Sequence, residues 1–252
     1  MRAYFRIIHS EFYKLMHSAV ALIHLLVPIL GMAIFLAYYR ISPWTESEKV
    51  SSYLQIVAVV FPVLLAVIMT IIRDSERMAG SFQEILCVPC QKSMIHVTKL
   101  FLLVFCGFLA TFVAVFGFGI FFKWMGNDSF SSSFYGKAAV LLFSGYIPLY
   151  LLQYMISLTF PKGMGLGFGI FGSLLSALLM TGLGDAVWCY LPWSVSARMC
   201  SVYVECHVNN WSFVEWTGAG SGLRFILFAG TLLFFLFIAW GKGWEAPACE
   251  AE

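Results

Sequence analysis

RDSERMAGSFQEILCVPCQKSMIHVTK, residues 73–99, is the polar interruption whose flanks decide the fold. The run before it (53–72) and the run after it (100–122) are each apolar and about the 20 residues a bilayer crossing needs. Within it, Met78, Phe82 and Ile85 recur at i, i+4 and i+7, which predicts a short amphipathic helix with those three on one face. Arg73, Asp74, Glu76, Arg77 and Glu84 leave the rest of that helix polar. Pro89 has no N–H and biases Val88 away from helical geometry, so the helix is predicted to stop there. Gly80 is out of place in such a helix, where it costs roughly 1 kcal/mol against alanine. Two explanations stand: close approach of a partner, or a helix end near residue 80.

Working outward, four more runs qualify as spans, near 19–39, 138–160, 164–183 and 223–241. The expectation is an all-α integral membrane protein of six transmembrane helices. Pro28, Pro62 and Pro148 fall inside spans and predict kinks, tolerable only where protein or water satisfies the freed carbonyls. The last run is the shortest, and Arg224 at its edge would have to snorkel. Composition agrees, with 61% hydrophobic and 11% charged residues, against about 25% charged in a soluble domain. A net charge of +2 suggests no nucleic-acid partner. No small-residue cleavage site follows the first apolar run, so it is expected to stay in the membrane.

Residues 1–18 set Phe5, Ile8, Phe12, Leu15 and Met16 against Arg6, Ser10, Lys14 and His17, the pattern of a helix lying in the interface. Glu11 and Lys14 are placed to pair on its surface. With the N-terminus inside, nine of the 15 Lys and Arg residues fall on inner segments and six on outer ones. The stretch 184–222 is then the longest outer segment, crowded with Trp188, Tyr190, Trp193, Tyr203, Trp211 and Trp216. Aromatic residues of this kind favour the headgroup level, so the segment is expected to lie on or dip into the outer leaflet, with short helices around 187–203. Cys189, Cys200 and Cys206 share it, and their pairing is left open.

Other motifs are weaker. Gly167, Gly169 and Gly172 spell G-x-G-x-x-G, but no strand precedes them, and close helix packing through Gly165 and Gly169 is the better reading. Cys87 and Cys90 supply only two metal ligands and lack a thioredoxin-like context. His24 and Gln153 are the notable polar residues within spans, and no paired acids or bases accompany them as a proton-coupled carrier would require. No nucleophile–base pair suggests a hydrolase, and no phosphate-binding G-x-x-x-x-G-K-[ST] loop exists. The chain is therefore read as a non-enzyme without metal or cofactor of its own.

Glu76, Gly80, Pro89 and Lys99, in that order between two spans, resemble the intracellular loop of ABC-2 type permeases. SEFYKLMHS (Ser10–Ser18), IHLLVPILG (Ile23–Gly31), YYRISPW (Tyr38–Trp44) and SSYLQ (Ser51–Gln55) are similar to permease subunits of lantibiotic-immunity ABC transporters, closest to the G-type, MutG-like subunits. The resemblance covers the first hundred residues best and the later spans by layout. It implies that residues 73–99 form a cytoplasmic coupling loop, with Glu76, Gly80, Phe82 and Pro89 contacting a separate ATPase subunit that binds ATP and Mg. It further implies a second, related permease, a bacterial plasma-membrane location with both termini cytoplasmic, and expulsion of a lantibiotic-type peptide. Trp188, Trp193 and Trp211 are the candidate peptide-capture residues. The alternatives are an exporter of another amphiphile, such as a bacitracin-like peptide or a lipid, and an ATPase-independent carrier or scaffold.

Overall fold

The computed structural model describes residues 2–87, 91–213 and 217–245. Among the described residues every regular element is helical: α1 (Arg2–Met16), α2 (Ala19–Tyr39), α3 (Glu46–Met78), α4 (Gln83–Leu86), α5 (Lys92–Trp124), α6 (Ser132–Ser144), α7 (Ile147–Thr159), α8 (Lys162–Leu179), α9 (Pro192–Val208) and α10 (Thr217–Gly243). Six stretches among the described residues are long and apolar enough to cross a membrane: α2, α3, α5, α6 with α7, α8 and α10.

Local chemistry sets the boundaries. Ser18 separates α1 from α2: its hydroxyl donates to Leu15 O at 2.7 Å and accepts from Val20 N–H at 3.2 Å, capping both helices at the bend. Thr45 and Glu48 form a reciprocal capping box that starts α3. At 33 residues, α3 is roughly 50 Å long by its rise per residue, well beyond the ~30 Å hydrocarbon core. The surplus at its C-terminal end is the charged stretch Arg73–Met78. So the first half of the polar interruption continues the second span and is no separate helix.

Two further expectations need correction. The run 138–160 is broken at Gly145–Tyr146, and Pro148 occupies the first turn of α7, where a missing N–H costs nothing. The break is held by α9, because a Cβ on Gly145 would lie 2.2 Å from Ser196 Oγ. The last span is long, 27 residues, with Arg224 inside it donating to Gly220 O at 3.1 Å. The segment 184–222 takes the second of its two expected placements and dips inward, with helices beginning at the expected 187–203. After two turns of 3-10 helix (Gly182–Gly184 and Trp188–Tyr190), α9 packs into the bundle against α3, α6 and α8. Trp193 at its start touches Phe168, Phe171 and Gly172, about two turns inside the Leu179 end of α8.

Such irregular backbone is tolerable at that depth only if its polar groups are satisfied by protein. Arg198 of α9 does this, donating from Nε to Leu179 O at 2.8 Å and from Nη2 to Thr181 O at 2.5 Å, and pairing with Asp185 at 2.8 Å. Ser194 Oγ donates to Trp188 O at 2.8 Å. The core is aromatic. Tyr53 stacks on Phe118 at 3.9 Å between ring centres and donates to Ala114 O at 2.9 Å, while Phe61 stacks on Tyr146 at 3.5 Å. Small residues let the helices meet, as the glycine pattern of α8 predicts: a Cβ on Gly169 would lie 2.3 Å from Ala66 Cβ and 2.7 Å from Pro62 O.

Candidate functional site

The end of the bundle that carries α1 and α4 holds the charged chemistry. Beyond Met78 the chain leaves helical geometry at once. Gly80 has φ +117°, Ser81 +51° and Phe82 +65°, and α4 then makes a single turn. Of the two explanations for Gly80, a helix end is the one realised, since a positive φ suits glycine. Met78 and Phe82 consequently do not share a face. Met78 is 88% exposed, whereas Phe82 is 3% exposed and packs edge-on against Trp244 at 5.6 Å. Trp244 in turn contacts His96 at 5.1 Å, accepts from Lys92 Nζ through its carbonyl at 3.2 Å, and donates from Nε1 to Leu158 O at 3.4 Å. His96 Nδ1 lies 3.0 Å from Tyr154 Oη. Phe82 therefore anchors the turn to the starts and ends of α5, α7 and α10. Pro89, Cys90 and Trp216, with the side chains of Glu84 and Ile85, lie outside the described residues.

Glu76 also points inward. It is 7% exposed and ion-paired with Lys99 of α5, whose Nζ is also 3.5 Å from Glu11 Oε2 of α1. Lys14 joins through Glu11 at 3.2 Å. The charges border a cavity of 450 Å³ between α1, α3 and α5, so water reaches the cluster's edge while its centre is dry. A carboxylate facing outward toward a partner, as sequence reading placed Glu76, is thus replaced by an internal strut joining three helices. A second tie, Lys162 to Asp74 at 2.5 Å, fixes the same end of α3 to α8. What remains outward on α3 and α4 is Ser75, Arg77, Met78, Ala79, Ser81, Gln83, Leu86 and Cys87.

Sequence reading missed Glu11 and Lys99 as a pair with Glu76. A signal existed: Lys99 sits among Val97, Leu100 and Leu102 at the mouth of a span, where an ionised group needs a partner. Its partners lie on other helices and leave no local spacing to read.

At the opposite end, the three candidate capture residues are not brought together. Trp188 is buried beneath α10, near Met199 and Gly222, and Trp193 is wedged against α8. Trp211 alone among them is exposed, at 57%. Cys200 and Cys206 are buried on α9 and Cys189 is half-buried, all three as free thiols. In mid-bundle, Gln153 of α7 donates to Gly165 O of α8 at 2.8 Å, and His24 Nδ1 lies 2.8 Å from Val20 O one turn earlier on its own helix. No cluster of three or more His, Cys, Asp or Glu suited to a metal occurs among the described residues.

The arrangement is a membrane bundle in which α3, 33 residues long like α5, projects beyond the apolar zone, braced by buried ion pairs, with no nucleotide-binding loop in the chain. No curated protein and no solved structure matches the chain. The family described as ABC-2 family transporter protein matches residues 7–174, well over half of the chain, from within α1 through most of α8. A permease of this kind works with an ATPase subunit, which accords with a projecting helix end and no phosphate loop of its own. The chain belongs to the ABC-2 transporter family and is a multi-pass permease subunit of an ABC transporter.

Proposed function

We propose that this permease is one transmembrane half of an exporter that expels a lantibiotic-type, amphiphilic antimicrobial peptide from a bacterial plasma membrane and so protects the cell. It would act with a second, related permease and with ATPase chains that bind ATP and Mg, both termini facing them. The observation that carries the coupling part is the braced tip of α3. Glu76 and Lys99 join it to α1 and α5, Asp74 joins it to α8, and Phe82 joins the following turn to Trp244. A tip fixed to four helices moves them together when pushed, and its outward face presents Met78 beside Arg77 as the docking knob. In this reading Glu76 and Phe82 transmit and Gly80 makes the turn.

Co-expression with the ATPase, purification through the permease and a peptide-resistance assay test this. Met78→Asp should sharply reduce both co-purified ATPase and resistance, and Gly80→Trp should do the same by bulk. Full ATPase recovery and full resistance from both variants would sink the assignment. A second cargo, another amphiphile such as a lipid or a bacitracin-like peptide, is favoured by one observation: Trp188 and Trp193 serve the bundle's interior and offer no aromatic platform. A resistance panel spanning both peptide classes separates the two.

A further inference from the structure

We propose that the bundle end remote from α4 carries a binding site for the phosphate headgroup of an anionic amphiphile, centred on Arg40 and Lys49. The two cations border an open basin of 970 Å³ between the end of α2, the start of α3 and the end of α5. Its other walls include Tyr39, Leu36, Phe121 and Trp124, and no Asp or Glu lines it. Neither cation has an ion pair or a side-chain hydrogen bond among the described residues. The acidic residues nearest in sequence are engaged elsewhere: Glu48 accepts from Thr45 N–H at 2.8 Å and Glu46 from Ser129 N–H at 3.0 Å.

Helix electrostatics explains one cation and not the other. Arg40 caps the C-terminal end of α2, where positive charge is favoured, but Lys49 stands in the first turn of α3, where it is disfavoured. A bound anion supplies the missing counter-charge.

The walls favour a lipid-like ligand over a small solute. Trp124 is 79% exposed, Phe121 is exposed below it, and Ile41 stands uncovered beside Arg40. These are groups that suit the boundary between headgroups and acyl chains, directly beneath the cations. A phosphate held by Arg40 and Lys49 would lay its tail along Leu36 and Phe121. The site does not depend on the cargo being a peptide.

Native mass spectrometry of the full chain in a neutral detergent tests it, with phosphatidylglycerol, phosphatidylcholine, glycerol 3-phosphate and inorganic phosphate as probes. Phosphatidylglycerol should be retained and phosphatidylcholine should not. R40Q/K49Q should weaken retention roughly tenfold or more, since each near-surface cation lost removes about 1 kcal/mol of attraction. R40K/K49R should retain the lipid, and K137Q, an exposed lysine at the same end, should change nothing. If glycerol 3-phosphate or phosphate displaces the lipid at equal concentration, the phosphate chemistry stands and a soluble ester is its source; if neither does, the lipid is. Equal retention by R40Q/K49Q, equal retention of phosphatidylcholine, or the same loss in K137Q would overturn the proposal.

Discussion

Replacing Lys99 by methionine removes the cation that joins Glu76 to Glu11 while keeping much of its length. The side chains involved are 6%, 8% and 11% exposed, so Glu76 would lose its ammonium partner in a nearly dry site, while Glu11 keeps Lys14 at 3.2 Å. Breaking a buried pair by deleting one partner costs about 3–5 kcal/mol. The 450 Å³ cavity at the cluster's edge admits some solvent, which points to the lower bound, ~3 kcal/mol. For a chain of this size that corresponds to a melting midpoint lowered by roughly 6–12 °C. Adding Glu76→Gln removes the stranded charge, and the double variant should regain about 1–2 kcal/mol through the coupling between contacting residues. The assay is thermal unfolding of the detergent-purified chain, followed by tryptophan fluorescence and by loss of the monodisperse elution peak. A Lys99→Met midpoint within about 2 °C of the parent, the range of a surface change, would refute the strut. So would a double variant as unstable as the sum of the two single ones.

Gly169→Ala forces a Cβ to 2.3 Å from Ala66 and 2.7 Å from the Pro62 carbonyl, and should lower stability by about 1–3 kcal/mol in the same melt. Gly167→Ala meets nothing within 4 Å and should leave the midpoint within about 0.5 kcal/mol of the parent. Gly80→Ala must hold alanine at φ +117°, so it should destabilise the turn by about 1 kcal/mol and speed limited proteolysis between residues 79 and 87. Among single-cysteine variants treated with an impermeant maleimide, Cys189 should react, while Cys200 and Cys206 should stay unlabelled until the bundle is opened by denaturant. Burial pushes both of those thiols above the usual value of 9.0, so they remain protonated and unreactive at neutral pH. The same shift makes their contribution to stability complete below that value and lost as pH rises above it.

Fold class was readable because the membrane imposes a coarse rule. Runs of about 20 apolar residues mark spans whatever their neighbours, and the glycines of α8 mark a close contact. What could not be read depended on contacts between distant residues. The period of Met78, Phe82 and Ile85 fits one helix face, yet positive φ angles at Gly80, Ser81 and Phe82 break that helix and turn Phe82 toward Trp244, 162 positions later in the chain. Glu76 reads as surface charge because its partners, Lys99 and Glu11, stand on other helices. The tryptophans of the outer segment carry the composition of an interfacial belt. Two of them fill gaps opened by Gly172 and Gly222, a use that composition cannot distinguish from anchoring. Arg40 and Lys49 are nine residues apart across a turn, and their convergence on one basin exists only in three dimensions.

Helix α9 bears on how the chain is made. It contains Arg198, Glu205 and His207, so an insertion machinery that sorts segments by hydrophobicity would release it to the aqueous side instead of passing it into lipid. Only afterwards can it return and dock. Most of the surfaces it needs, on α3, α6 and α8, precede it in the chain, and its contact with α10 completes the docking once that helix has followed. Had α9 been apolar enough to insert during synthesis, the crossings would number seven, and α10 would be inverted, carrying Trp244 to the far side from Phe82. The charges of this one helix thus fix the parity of the whole chain, and with it the meeting of the two ends that clamp the turn after α3.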